Sequence, residues 1–228
     1  MADLRPVEAI TFDCYGTLID WGAGVEDALL KLINDRGGTA TGDELLIAFG
    51  EVEREVEDGS YIPYRAVCAE VSERLAQRFG ATLQDGEARF LAMSLEDWPA
   101  FDETPDCLLR LQAKYRLGIV SNIDNDLFEG SAPKLGVTPD AVVTAQIVRS
   151  YKPNRAHFDR VLEDFALTPD RILHVGASRF HDVEPAKAMG FNTCLIKRDG
   201  GDVASGAGDA EPDLTCGSLT ELCAVLGV

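Results

Sequence analysis

Four polar clusters in this 228-residue chain hold the side chains that could make or break a covalent bond. Asp13-Cys14-Tyr15-Gly16-Thr17 sets a carboxylate three residues before a glycine that permits a tight turn, with a hydroxyl one residue beyond it. Ser121-Asn122 offers a hydroxyl, an amide and backbone donors, Lys152-Pro153 a fixed positive charge, and Ser178-Arg179-Phe180-His181-Asp182 a second carboxylate with a guanidinium and an imidazole. A rigidly held carboxylate can attack carbon or phosphorus as a nucleophile. A lysine beside it keeps it ionised and offsets repulsion from a second acid. Each cluster alone has a plainer reading. Asp13 could be a turn residue, Lys152 a solvated lysine and Ser121-Asn122 a helix cap. Asp182, just before Pro185, could simply favour the N-terminus of a helix.

Their positions raise the value of the set. Short apolar, β-branched runs recur at Ala9-Ile10-Thr11-Phe12, Leu117-Gly118-Ile119-Val120, Ala141-Val142-Val143-Thr144, Ile172-Leu173-His174-Val175 and Thr193-Cys194-Leu195-Ile196. Each ends in a polar loop followed by a helical pattern, the rhythm of βαβ units. The expected fold is α/β, a parallel sheet with helices on both faces. The four polar clusters fall at or just after strand ends, which converge on one edge of such a sheet. Roughly a hundred residues between the first two runs break the rhythm. From Gly24 to Phe90 the pattern is that of amphipathic helices, with apolar spacing at Leu29, Leu30 and Leu32-Ile33 and again at Val67, Val71 and Leu75. This block reads as a small α-helical cap inserted after the first strand. The expected division is a core of residues 1–20 and 100–228 and a cap of residues 21–99. Trp98 to Pro105 reads as the return linker and Asp199 to Pro212 as a surface loop.

Composition narrows the function classes. A chain that is 46% hydrophobic can bury a substantial core. A formal net charge of -18 opposes attraction to nucleic acid or anionic lipid. No basic region precedes a long apolar run, and no apolar stretch approaches the ~18 residues of a membrane span. A cytoplasmic location is the expectation. The six cysteines form no CxxC pair and no zinc spacing, so neither a metal nor a redox motif is indicated, and most read as small buried hydrophobes. No GxGxxG loop follows a strand, so no nucleotide, flavin or nicotinamide cofactor is expected.

Thr11 through Asp20, Ser121-Asn122, Lys152-Pro153 and Gly176 through Asp182 resemble, in order and spacing, the four motifs of the haloacid dehalogenase superfamily, most closely the type II haloacid dehalogenases. The resemblance covers nearly the whole chain and implies a Rossmann-like core, a helical cap and Asp13 as covalent nucleophile. It implies no cofactor, a small anionic carboxylate as substrate and a possible homodimer. Catalysis falls to Asp13, Thr17, Lys152 and Asp182, and substrate binding to Cys14, Tyr15, Ser121, Asn122, Ser178, Arg179 and His181. Related phosphatases carry an aspartate two residues after the nucleophile to protonate a leaving alcohol; Tyr15 stands there instead. A halide leaves without a proton, so Tyr15 is coherent with dehalogenation. Ala177 replaces an aspartate that commonly binds magnesium in the phosphatases, lowering the expectation of a metal. A magnesium-dependent phosphatase stays open as the alternative, as does cleavage of another C–X bond, such as ring opening of azetidine-2-carboxylate.

The expected reaction has two steps. Asp13 displaces a leaving group at the α-carbon of a 2-substituted carboxylate, and water, oriented or deprotonated by Asp182, then opens the aspartyl ester. The resemblance also implies a cap arginine that helps bind halide, which this chain lacks at the matching position. Arg54, one helical turn later and flanked by Glu53 and Glu55, reads as a salt-bridging surface residue, with a substitute role as the other possibility. Ala177, Arg179 and His181 replace serine, asparagine and tryptophan, and Phe158 stands where a tyrosine is common. Arg179 could grip the substrate carboxylate bidentately. Trp21, Tyr61 and Tyr64 could line the cap side of the pocket or pack in the core.

Overall fold

The computed structural model describes residues 7–198 and 208–228. Its centre is one sheet of β1 (Ala9–Phe12), β2 (Arg116–Ser121), β3 (Ala141–Thr144), β4 (Ile172–Gly176), β5 (Asn192–Ile196) and β6 (Leu214–Cys216). The order is β3-β2-β1-β4-β5-β6, and every neighbouring pair is parallel. The five apolar runs of the sequence all appear as strands. The sixth strand went unread because Leu214-Thr215-Cys216 is three residues long and only Cys216 is fully buried, so it has no apolar run to show.

The strands are apolar on both sides because both sides are covered. Ile10, Phe12, Leu117, Ile119, Leu173 and Val175 pack into one buried cluster. Ala9, Val120, Val143 and Ile172 pack on the other face against Phe158, Val161 and Phe165 of the helix Ala156–Phe165. Each large side chain so buried contributes roughly 1.5–3 kcal/mol, which makes the strand ends fixed points from which the loops project.

The helical block follows β1 as expected. It comprises α1 (Trp21–Val25), running through a π turn over Glu26–Leu30 into α2 (Lys31–Asp35), then α3 (Gly42–Glu57), α4 (Tyr64–Arg78) and short turns up to Leu95–Asp97. Thr41 starts α3 with a reciprocal capping box to Glu44, and α3 buries Leu45, Ala48, Phe49 and Val52 on one stripe. α4 buries Val67, Val71 and Leu75. Its N-terminus lacks a cap of its own. Asp124, buried after β2, accepts from the Tyr64 and Arg65 N–H groups at 2.9 and 3.0 Å, tying this helix to the sheet edge.

The chain leaves and re-enters the sheet region side by side. Ile19 and Ala100 form an antiparallel bridge, Asp20 N–H donates to Pro99 O at 2.8 Å and Phe101 N–H to Leu18 O at 3.1 Å. Within residues 98–105, expected as the return linker, the helix Thr104–Gln112 already begins, because Pro105 is compatible with a first helical turn. Of the expected loop Asp199 to Pro212, residues 199–207 lie outside the described residues, and the rest has no regular structure. Among the described residues no helix is long and apolar enough to cross a membrane.

Candidate active site

Asp13 stands one residue past β1, its N–H donating to Val175 O at 3.0 Å, so the backbone at this point is still anchored to β4. Gly16 then takes φ +91°, a conformation open to glycine, and turns Thr17 back. The Thr17 hydroxyl donates to Asp13 Oδ2 at 2.8 Å and accepts from the Ala177 N–H at 3.0 Å. Lys152, in the loop beyond β3, is 2% exposed. Its Nζ donates to Asp13 Oδ1 at 2.9 Å, Asp182 Oδ1 at 2.6 Å and Val120 O at 2.9 Å. All three protons of the ammonium are placed. Asp182 comes close to the strand because Gly176 has no side chain: a Cβ there would meet the Asp182 carboxylate at 2.3 Å.

The electrostatics follow from this packing. For Asp182, burial opposes ionisation, but Lys152 and His174 outweigh it and hold the carboxyl well below its usual range. For Asp13, burial raises the pKa, with Lys152 pulling it back and Asp182 adding to the rise. For Lys152, burial opposes the charge, yet the two aspartates lift its pKa above that of an ordinary lysine. His174 was read only as a strand residue. Its Nε2 faces Asp182 Oδ1 at 3.3 Å and its Nδ1 faces Thr11 Oγ1 at 2.9 Å, a buried chain supporting the second carboxylate. A polar Thr11 on the otherwise apolar β1, two residues before Asp13, was the available signal there, and a histidine on a fully buried strand was the signal on β4.

A cavity of about 110 Å³ opens over these groups, far below the roughly 300–1,000 Å³ of sites for drug-sized ligands. Its wall includes Asp13, Tyr15, Ser121, Asn122, Lys152, Ser178, His181 and Asp182 from the sequence reading. The Tyr15 hydroxyl donates to Ser131 Oγ at 2.9 Å, so its polar end is held by the protein. Asn122 binds the loop of Lys152 at both ends, accepting from its N–H at 2.7 Å and donating to its O at 3.2 Å. Burial drives the His181 pKa down to about 4, so the ring is neutral at neutral pH; the His181 backbone N–H donates to Ser178 Oγ at 3.0 Å, and the ring Nδ1 lies 3.3 Å from the same oxygen.

Other expected positions fall elsewhere. Arg179 is outside the cavity wall, turned to Ala210 O at 3.2 Å and toward Glu211. The helical turn that aims Asp182 inward points position 179 away, because the two are three residues apart on a π turn. Cys14 is fully buried and likewise off the wall. Thr17 is beneath it, reaching the cavity only through Asp13. Trp21 and Tyr64 line the cavity, whereas Tyr61 packs on Tyr151 with ring centres 5.5 Å apart and borders a second cavity. Arg54 also borders that second cavity, and its Nε is buried without a hydrogen-bond partner. The expected bridges to its neighbours do not form: Glu55 pairs with Arg74 and Glu53 accepts from the Tyr64 hydroxyl at 2.6 Å. Phe158 is fully buried, edge-on to His174 at 5.0 Å.

The cap supplies two wall residues that sequence reasoning missed, Glu53 and Glu57 of α3. Burial pushes Glu53 up to about 7, eased by the Tyr64 hydroxyl and reinforced by Asp13. Burial and then Glu53 lift Glu57 well above the ordinary range, with Lys152 and Asn122 opposing. The signal was present: Phe49, Glu53 and Glu57 follow at steps of four, so both acids lie at the edge of the apolar stripe. For magnesium, the donor set fits poorly. The near oxygens of Asp13 and Asp182 are taken by Lys152, and among the described residues no group of three His, Cys, Asp or Glu side chains is arranged to hold a metal.

A parallel α/β core, a helical insert after its first strand and a lysine-bridged aspartate pair at the sheet edge define a hydrolase class, and comparison with known proteins places the chain within it. The chain belongs to the haloacid dehalogenase-like hydrolase family, whose model matches residues 7–190. It is 25% identical over 203 residues to (S)-2-haloacid dehalogenase 1 of Pseudomonas sp. (strain CBS-3), covering 86% of each chain. It is also 25% identical over 230 residues to the phosphoglycolate phosphatase of Photorhabdus laumondii, covering 99% of this chain and 94% of that one. Its fold superimposes on the L-2-haloacid dehalogenase of Xanthobacter autotrophicus with chloropropionic acid covalently bound, with a TM-score of 0.82, 20% identity and coverage of 97% of this chain and 98% of that one.

Proposed function

We propose that the protein hydrolyses a small 2-substituted carboxylate through an ester on Asp13, in the manner of a 2-haloacid dehalogenase. The observation that carries this reading is the Thr17–Asp13–Lys152–Asp182 chain of contacts on the cavity floor, with Tyr15 in place of an acid. A carboxylate oxygen of Asp13 attacks the α-carbon as the bond to the leaving group breaks, and that group departs with the electron pair. Water then adds to the ester carbonyl and the acyl–oxygen bond breaks, one water proton passing to the departing 2-oxygen and the other to solvent, so that the 2-hydroxy acid leaves with the Asp13 carboxylate regenerated.

The contacts divide the labour. Lys152 stabilises charge as the ester is made and broken, and Thr17 fixes the plane of the Asp13 carboxylate. Asp182 is held so far toward its ionised form that it is a weak base; its part is to hold Lys152 and orient water rather than to retain a proton. Ser121, Asn122 and Ser178 would meet the substrate carboxylate. Residues 21–99 would act as the cap that closes this chamber, which suits a covalent intermediate that must meet one water at a time.

A single turnover in oxygen-18 water, with enzyme in excess over 2-chloropropionate, tests the reading. The expected result is label in the Asp13 carboxylate and none in the first-formed lactate; label directly in the product overturns it. Release of halide from chloroacetate, fluoroacetate and 2-chloropropionate in EDTA defines the leaving group, and a phosphate-release assay with magnesium tests the phosphatase alternative, for which Tyr15 and Ala177 predict little turnover.

A further inference from the structure

The charges around the cavity do not balance for a simple anion. Its wall carries the carboxyl groups of Asp13, Glu53, Glu57 and Asp182 against one wall cation, Lys152, with His181 neutral and Arg54 set back in the neighbouring cavity that Glu57 also borders. The three Lys152 protons are already directed to Asp13, Asp182 and Val120 O. On the cap side the acids are underused. Glu57 Oε1 is buried with no hydrogen-bond partner, while its other oxygen accepts only from Asn122 at 3.2 Å. Glu53 gives one oxygen to the Tyr64 hydroxyl at 2.6 Å, and its second takes no hydrogen bond among the described residues. A buried acceptor without a donor is costly unless a ligand completes it. The two side chains are four residues apart on α3, one helical turn, so they present adjacent carboxyls to the same cavity.

We propose that Glu53 and Glu57 form a cation subsite, so that the substrate carries an ammonium group beside its reacting carbon as well as a carboxylate. This rests on the reading of Asp13 as nucleophile at a 2-substituted acid and sharpens it to a zwitterion. The carboxylate lies toward Ser121 and Asn122, the ammonium toward α3, and the reacting carbon over Asp13 between them. An ammonium supplies three donors and one positive charge to acceptors that have neither, and it lets both glutamates ionise where an uncharged alkyl group would leave them to hold protons.

Calorimetric titration of the wild-type protein with 3-aminopropionate and with butyrate tests the subsite without any bond being broken, since the two differ in an ammonium for a methyl group. The expected result is binding of 3-aminopropionate at least about tenfold tighter than butyrate. Glu53→Gln and Glu57→Gln, near-isosteric changes, should each cut the preference to about threefold or less, whereas Glu55→Gln, an exposed acid paired with Arg74, should keep it. Equal or tighter binding of butyrate, a preference untouched in both pocket variants, or no binding of either compound overturns the subsite. Chloride release from 3-amino-2-chloropropionate and 2-chlorobutyrate separates this from the underlying reaction. If neither loses chloride while the calorimetric preference stands, the dehalogenation reading fails and the subsite survives. If 2-chlorobutyrate has the higher kcat/KM, the subsite fails and the reaction stands.

Discussion

The floor and the roof of the cavity solve the burial of charge in opposite ways. On the floor, two aspartates share one lysine, every ammonium proton has an acceptor, and Thr17, His174 and the Ser178 N–H take up remaining carboxylate positions. On the roof, Glu53 and Glu57 have a tyrosine hydroxyl and an amide between them and, among the described residues, no ion-pair partner. The floor is thus finished without substrate, and the roof is not. A preorganised floor suits chemistry that must be the same for every substrate, whereas an incomplete roof suits selection among substrates.

The largest effect is expected at the nucleophile. Asp13→Asn keeps the shape of the floor but removes the attacking charge, and kcat should fall by at least about 10⁴-fold with no covalent adduct in the intact-mass spectrum. Next in size is Lys152→Met, which leaves two buried carboxylates facing each other. A loss of about 3–5 kcal/mol is expected, read as a fall in Tm of roughly 6–20 °C, together with loss of turnover.

Glu53→Gln should act in the other direction. A carboxyl whose folded pKa is raised to about 7 favours folding fully below its unfolded value, near 4.3, and loses that contribution as pH rises through 7. Removing the acid should therefore raise Tm by several degrees at pH 8 and change it little at pH 4; an equal change at both values would show that the carboxyl is not desolvated. In kinetics, the raised pKa of Asp13 should place the acid limb of kcat/KM above the ordinary aspartate value of about 3.9. The smallest effect belongs to Arg179→Ala. With its side chain directed to Ala210 and Glu211 rather than to the cavity, kcat/KM should change by less than about threefold; a larger loss confined to KM would return this residue to the substrate.

What the sequence determined on its own was the sheet and the floor. β-branched runs flanked by polar loops mark strands of a covered parallel sheet, and residues one or two positions past those runs must gather at one edge, because parallel strands all point the same way. Asp13, Ser121, Asn122, Lys152 and Asp182 were legible for that reason. The three-residue β6 carried too little pattern to be seen, and His174 looked like one more strand residue until Asp182 was placed beside it. For the roof, the four-residue spacing from Phe49 puts Glu53 and Glu57 at the edge of the apolar stripe of α3, and tertiary structure decides that this edge faces the cavity. A glutamate on an amphipathic helix reads as solvated, and Glu53 and Glu57 differ from Glu51 and Glu55 only in which way they face. That direction depends on how α3 is rotated against the sheet edge, which is fixed by contacts such as Trp21 with Phe49 at 5.3 Å and Asn122 with Glu57. Such contacts join residues far apart in the chain, and no local spacing records them.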